Sequence, residues 1–134
     1  MDIRTNGSSP SRRARADWFS GTVWQEPVID TPATGNVRAT YVHFEPGGRT
    51  NWHTHPAGQT LYIFHGTGRV QSWGGKVREV RPGDVVWFPP GEKHWHGAGP
   101  ETMMAHLAIT EVLDGKFVEW LEPVTDEQHK ASAG

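Results

Sequence analysis

A chain of 134 residues is the size of one domain and long enough to bury a single core. Its 13 Lys and Arg against 15 Asp and Glu leave a formal charge of −2, which is too balanced to suggest nucleic acid or an anionic membrane as partner and suits a small-molecule ligand. The lack of cysteine excludes disulfides, thiolate metal sites and thiol nucleophiles, and without an apolar run of secretory-signal or membrane-spanning length a soluble, cytoplasmic protein is expected.

Residues 1–17 carry the polar, turn-rich stretch "TNGSSPSRRARAD", which predicts a partly mobile N-terminal arm whose "RRAR" is solvated. From Trp18 to Gly134 the pattern changes. Strand-length apolar runs follow one another, among them "GTVWQEPVI", "VRATYVHFEPGG", "TLYIFHGTG", "VVWFPPGE", "KHWHGAGP" and "MMAHLAITEVLDG", and Gly- or Pro-containing turns separate them. With no amphipathic helix to serve as a crossover, the runs predict an all-β antiparallel sandwich or barrel rather than a parallel α/β sheet. Only "TDEQHK" reads as helix, with Thr125 as N-cap and Gln128 as its capping-box partner.

The histidines concentrate in two of these hairpins. Strand alternation gives His53 and His55 in "HTHPAGQ" a common face, and the turn at 56–58 returns Gln59 to it. His94 and His96 are likewise same-faced, and in a closed barrel the two hairpins face each other across the lumen. Metal binding is the reading for His53, His55, Gln59 and His94, whereas His43, His65 and His129 receive no role. An amide in place of a carboxylate leaves a divalent ion its full +2 charge, which favours Lewis-acid work over oxidation of the metal. Imidazole and amide donors suit Mn(II), Fe(II), Co(II) or Ni(II), with Zn(II) also possible. His96 is the acid/base candidate on alternation. In "MMAHLAITE" periodicity does not say whether the face of His106 or the more apolar face of Met103, Ala105, Leu107 and Ile109 is the lumen. Trp87 is a candidate pocket wall.

"GGRTNWHTHPAGQTLYIFHG" and "GDVVWFPPGEKHWHG" resemble the two cupin motifs, with Gln59 where glutamate is usual and Ala98 where asparagine is common. The resemblance implies a jelly-roll barrel (a double-stranded β-helix). From Trp18 to His129 the sequence further resembles the bacterial manganese-dependent cupin hydroxynitrile lyases. That implies a lyase that cleaves or forms cyanohydrins on Mn(II) held by His53, His55, Gln59 and His94. His96 and His106 are then the proton-transfer candidates, Thr50 a substrate-orienting hydroxyl, and Thr40, Val42 and Thr110 pocket positions. It also implies a homodimer or homotetramer, which would protect sheet edges. The rival readings are a cupin dioxygenase, a decarboxylase or isomerase with a lumen arginine, and a non-catalytic small-molecule-binding cupin.

Overall fold

Alternating runs broken by Gly and Pro turns become antiparallel strands in the computed structural model, which describes residues 1–30 and 35–134. In chain order these are β1 (Arg12–Arg13), β2 (Phe19–Ser20), β3 (Val23–Ile29), β4 (Val37–Phe44), β5 (Arg49–Thr50), β6 (His53–Thr54), β7 (Gln59–Gly66), β8 (Gly68–Ser72), β9 (Arg78–Val80), β10 (Val85–Phe88), β11 (His94–Ala98), β12 (Met104–Glu111) and β13 (Glu119–Trp120), followed by helix α1 (Asp126–Lys130). One sheet runs β1-β3-β4-β12-β7-β10; the other runs β13-β6-β11-β5-β2, with β8 also on β11 and β9 on β8. Their inner faces meet in one core that includes Phe44, Leu61, Ile63, Val70, Phe88 and Met104. This is the expected all-β jelly-roll, and α1 carries the expected capping box between Thr125 and Gln128.

Period-two alternation sorts the residues that matter. On β4 the inward row is Phe44, Val42, Thr40 and Arg38; on β12 the row opposite is Met104, His106, Ala108 and Thr110. The lumen is therefore the His106 face. The more apolar face of β12 is turned outward, where Leu107 and Ile109 stay half-exposed. The reason is that the barrel interior at this level is an open cavity that takes polar groups such as Thr40, Gln59, His96 and Thr110 among apolar ones, rather than closed core.

The second sheet is covered on its outer side by the C-terminal segment. Trp52, Val77, Trp95 and Val124 form a separate apolar cluster there, so β11 is buried on both faces. Arg49 fastens this cover by donating to the Val124 carbonyl at 2.7 and 3.0 Å and to Asp126 at 2.8 Å. His129 donates Nε2–H to the Ala98 carbonyl at 2.8 Å. At Gly97 a Cβ would lie 2.4 Å from the Gly48 carbonyl oxygen, so only glycine lets β5 approach the strand that carries His94 and His96. At the other end of the chain, Arg12–Arg13 pair with β3 and Ala14 packs on the core.

Candidate metal and catalytic site

His53 and His94 stand directly opposite each other on β6 and β11, and Gln59 stands opposite Phe88 on β7 and β10. The ring centroids of His53 and His94 are 4.3 Å apart, and His55 lies 5.0 Å from His53. The Phe88 ring stacks on His94 at 3.6 Å and 11°, which fixes that imidazole from the core side. All four side chains are buried, and His53, His55 and Gln59 line a cavity of about 240 Å³, below drug-pocket size and suited to a small molecule.

Hydrogen bonds set the tautomers. His53 Nδ1 lies 2.9 Å from the Asn51 carbonyl, His55 Nδ1 2.6 Å from that of Phe117, and His94 Nδ1 2.8 Å from that of Glu92. A carbonyl only accepts, so each Nδ1 carries the proton and each Nε2 presents a bare lone pair. His55 Nε2 is buried without a partner. His94 Nε2 faces Gln59 Oε1 at 3.2 Å, one acceptor against another. Lone pairs converging without donors are what a cation relieves, so these residues fit a divalent metal. Burial pushes His53 well below the ordinary imidazole range, with the neighbouring His94 and His55 adding to it, lowers His55, and takes His94 down to about 3. All three are thus held in the neutral form that binds metals.

Among the described residues His53, His94 and His96 bring ring nitrogens within 4.8 Å of one another, a spacing that could hold an ion. His96 differs from its neighbours in that both ring nitrogens face side chains. Its Nε2 is 3.1 Å from Gln59 Oε1, and its Nδ1 is 3.0 Å from His106 Nε2. Donation from His96 Nε2 to the amide oxygen requires His106 Nε2–H to donate to His96 Nδ1. The other arrangement, with both rings in the Nδ1–H tautomer, has His96 Nδ1–H donating to His106 Nε2 and leaves a bare His96 Nε2 at the cavity. Burial, with the neighbouring histidines, lowers His96 well below its usual value, and burial takes His106 down to about 3. His106 is fully buried behind His96, beside the Phe44 ring at 5.3 Å, and reaches the cavity only through it.

Thr40, Val42, Thr50 and Thr110 line the cavity. Thr50 Oγ1 accepts the His96 backbone N–H at 3.2 Å, leaving its own proton to donate. Trp87 departs from expectation. Phe88 points inward, so its neighbour Trp87 points out and is exposed. Its ring instead packs against the turn at Gly58, where φ is +80° and a Cβ would lie 2.4 Å from the ring. Trp87 buttresses the turn between His55 and Gln59 from outside. The lining also includes Arg15, Gln25, Arg38, Phe117 and Trp120, which the motifs do not mark. Arg38 shares strand parity with Thr40 and Val42 on β4, and Gln25 with the buried Val23 on β3, a signal present in the sequence. Phe117 and Trp120 arrive on a returning segment that no local pattern announces.

Residues 40–110 match the cupin domain family. The chain belongs to the cupin family. Over 130 residues this cupin is 57% identical to the (R)-mandelonitrile lyase of Granulicella tundricola, covering 97% of the chain and 99% of that enzyme. A cupin-like protein from Thermotoga maritima, 38% identical, superposes with a TM-score of 0.84 over 97% of this chain and 96% of its own. The polyketide cyclase of Streptomyces resistomycificus shares only the fold, at 20% identity and a TM-score of 0.76 over 97% of this cupin and 91% of its own chain.

Proposed function

We infer that this cupin is a hydroxynitrile lyase, cleaving a cyanohydrin to an aldehyde or ketone and hydrogen cyanide, and running the reverse addition. The observation that carries the reading is the His96–His106 pair beside the convergent donors, and it agrees with the 57% identity to a mandelonitrile lyase across nearly both chains. His53, His55, Gln59 and His94 would hold the metal, Mn(II) by preference, because the Nε2 lone pairs of the three histidines meet no donor and Gln59 Oε1 faces that of His94. Bound there, a divalent ion supplies Lewis acidity that lowers the pKa of a substrate hydroxyl, undiminished by any carboxylate among its ligands.

The chain's own residues move the proton. His96, neutral through burial and with its lone pair turned to the cavity, accepts the hydroxyl proton at Nε2. The carbon–carbon bond then breaks with its electron pair on cyanide while the oxygen becomes the carbonyl. The His96 imidazolium returns that proton to cyanide, so one cyanohydrin gives one carbonyl compound and one HCN. His106 holds His96 in the required tautomer and does not itself touch substrate. The Thr50 hydroxyl donates to substrate oxygen, and Thr40, Val42, Thr110 and Trp120 wall the remaining volume.

Protein from manganese-supplemented cells should release benzaldehyde from racemic mandelonitrile at the same rate in air and without oxygen. Metal-loaded protein that is silent on mandelonitrile and on carboxylate-bearing cyanohydrins alike, or a reaction that consumes oxygen, overturns the reading; the latter outcome is that of a dioxygenase.

The proposal includes a homodimer or homotetramer. Supporting it is the outer face of the first sheet, where Tyr62, Phe64, Val85 and Trp87 stand exposed side by side on β7 and β10. Sedimentation at micromolar concentration should give two or four chain masses, and a monomer would refute it.

A further inference from the structure

The cavity holds cationic side chains but no anionic one. Arg15 and Arg38 line it beside the histidines, and among the described residues no Asp or Glu does. Only one of the two arginines is hydrogen-bonded to a carboxylate. Arg15 stacks on Trp18 at 4.8 Å and is bonded to the Asp17 carboxylate at 2.8 Å. Arg38 lies with its guanidinium 4.0 Å over the Phe117 ring, and its nearest carboxylate among the described residues, the exposed Asp30, is 3.8 Å away. That is a loose ion pair to an exposed carboxylate, beyond hydrogen-bond range.

Register puts Arg38 within reach of the chemistry. Thr110 on β12 is paired with Arg38 on one side and with Gln59 on the other. Gln59, Thr110 and Arg38 therefore lie side by side across three adjacent strands, and at about 4.8 Å per strand roughly 10 Å separates the first backbone position from the last. All three side chains line the cavity. Phe117 ties the two ends together: its carbonyl accepts from His55 and its ring supports the guanidinium. Stacking on an aromatic face leaves the in-plane N–H fork open, which is the geometry that binds a carboxylate through two parallel hydrogen bonds. The side chain is only 29% exposed, so an anion there is partly shielded from competing water.

We propose that Arg38 binds a carboxylate at the far end of the substrate, so that the preferred substrates are cyanohydrins of small oxo-acids, with the reacting carbon at the histidines and the carboxylate at the cavity mouth. This rests on the lyase reading. It makes Arg38 a specificity residue rather than a participant in bond cleavage.

The test compares cyanide addition to 4-carboxybenzaldehyde with addition to its neutral methyl ester, in the wild type, Arg38→Gln and Arg38→Lys. The wild type should favour the carboxylate at least tenfold in kcat/KM, Arg38→Gln should cut that ratio about tenfold or more, and Arg38→Lys should recover part of it; a charge-assisted hydrogen bond is worth about 1.5–3 kcal/mol, or roughly ten- to a hundredfold. Binding of 4-(hydroxymethyl)benzoate against 4-methylbenzyl alcohol, followed by calorimetry on the manganese-loaded protein, reads the same preference without turnover. A wild type that does not prefer the carboxylate in either assay overturns the proposal, as does an Arg38→Gln protein with the ratio intact. Carboxylate preference in calorimetry with no turnover of any cyanohydrin leaves Arg38 in place and overturns the lyase reading instead.

Discussion

Replacing His96 by alanine is expected to lower mandelonitrile cleavage by about a hundred- to ten-thousandfold while manganese content stays near that of the wild type. General acid/base catalysis by a placed side chain is worth about that much. His96 is the one imidazole of the three lining the cavity whose nitrogens both meet side chains, Gln59 on one side and His106 on the other. Loss of metal together with activity would instead mark His96 as a ligand, in keeping with its place in the tight His53–His94–His96 set. His106 gives a finer test because it acts through His96. His106→Leu leaves His96 Nδ1 buried without a partner, and kcat should fall about tenfold or more with KM little changed. His106→Gln, whose amide oxygen restores an acceptor for His96 Nδ1–H, should recover part of kcat. Equal losses in both variants would reduce His106 to a packing residue.

The parts of the site that lie on regular strands were legible from the sequence. His53 and Gln59 flank a turn whose Gly58 adopts φ +80°, and His94 comes to lie opposite His53 in register, so two hairpins meeting across a lumen follow from alternation and turn chemistry alone. The capped helix at Thr125 was equally local. What escaped is whatever depends on the level at which the lumen changes from core to cavity. The Met103–Ile109 face is the more apolar, yet the lumen takes the His106 face, because cavity polarity is set by residues from β6, β7 and β11 that periodicity within β12 does not sense. The error over Trp87 is of the same kind. Alternation places Phe88 inward and so excludes its neighbour, but a tryptophan beside a functional turn reads as pocket wall until the opposing strand is known. Arg38 could have been found by parity with Thr40 and Val42. Phe117, Val118 and Trp120 could not, since they reach the cavity from a segment more than 50 residues beyond the first histidine pair.

Stripping the metal with a chelator is expected to abolish turnover, and it should also lower the melting temperature in a way that depends on pH. An ion present at a hundred times its Kd stabilises the native state by about 2.7 kcal/mol, which in a chain of this length corresponds to a shift of about 10 °C. Protons compete with it. His94 and His106 are held down to about 3 by burial, against an ordinary imidazole value of 6.5, so between those limits the unfolded chain takes up protons that the folded one refuses. The stability these groups contribute is complete above pH 6.5 and is lost as the pH falls through the window from 6.5 toward 3. Each group steepens that loss by about 1.4 kcal/mol per pH unit. Metal affinity declines in the same direction, because the same imidazole nitrogens must stay unprotonated to bind. Melting temperatures of manganese-loaded and chelated protein between pH 8 and pH 4 should therefore both drop below pH 6.5, and the gap between them should close as they do. A melting temperature that stays level from pH 7 to pH 5 would mean that the buried histidines are charged in the folded chain, and the neutral donor set inferred from their hydrogen bonds would have to be abandoned.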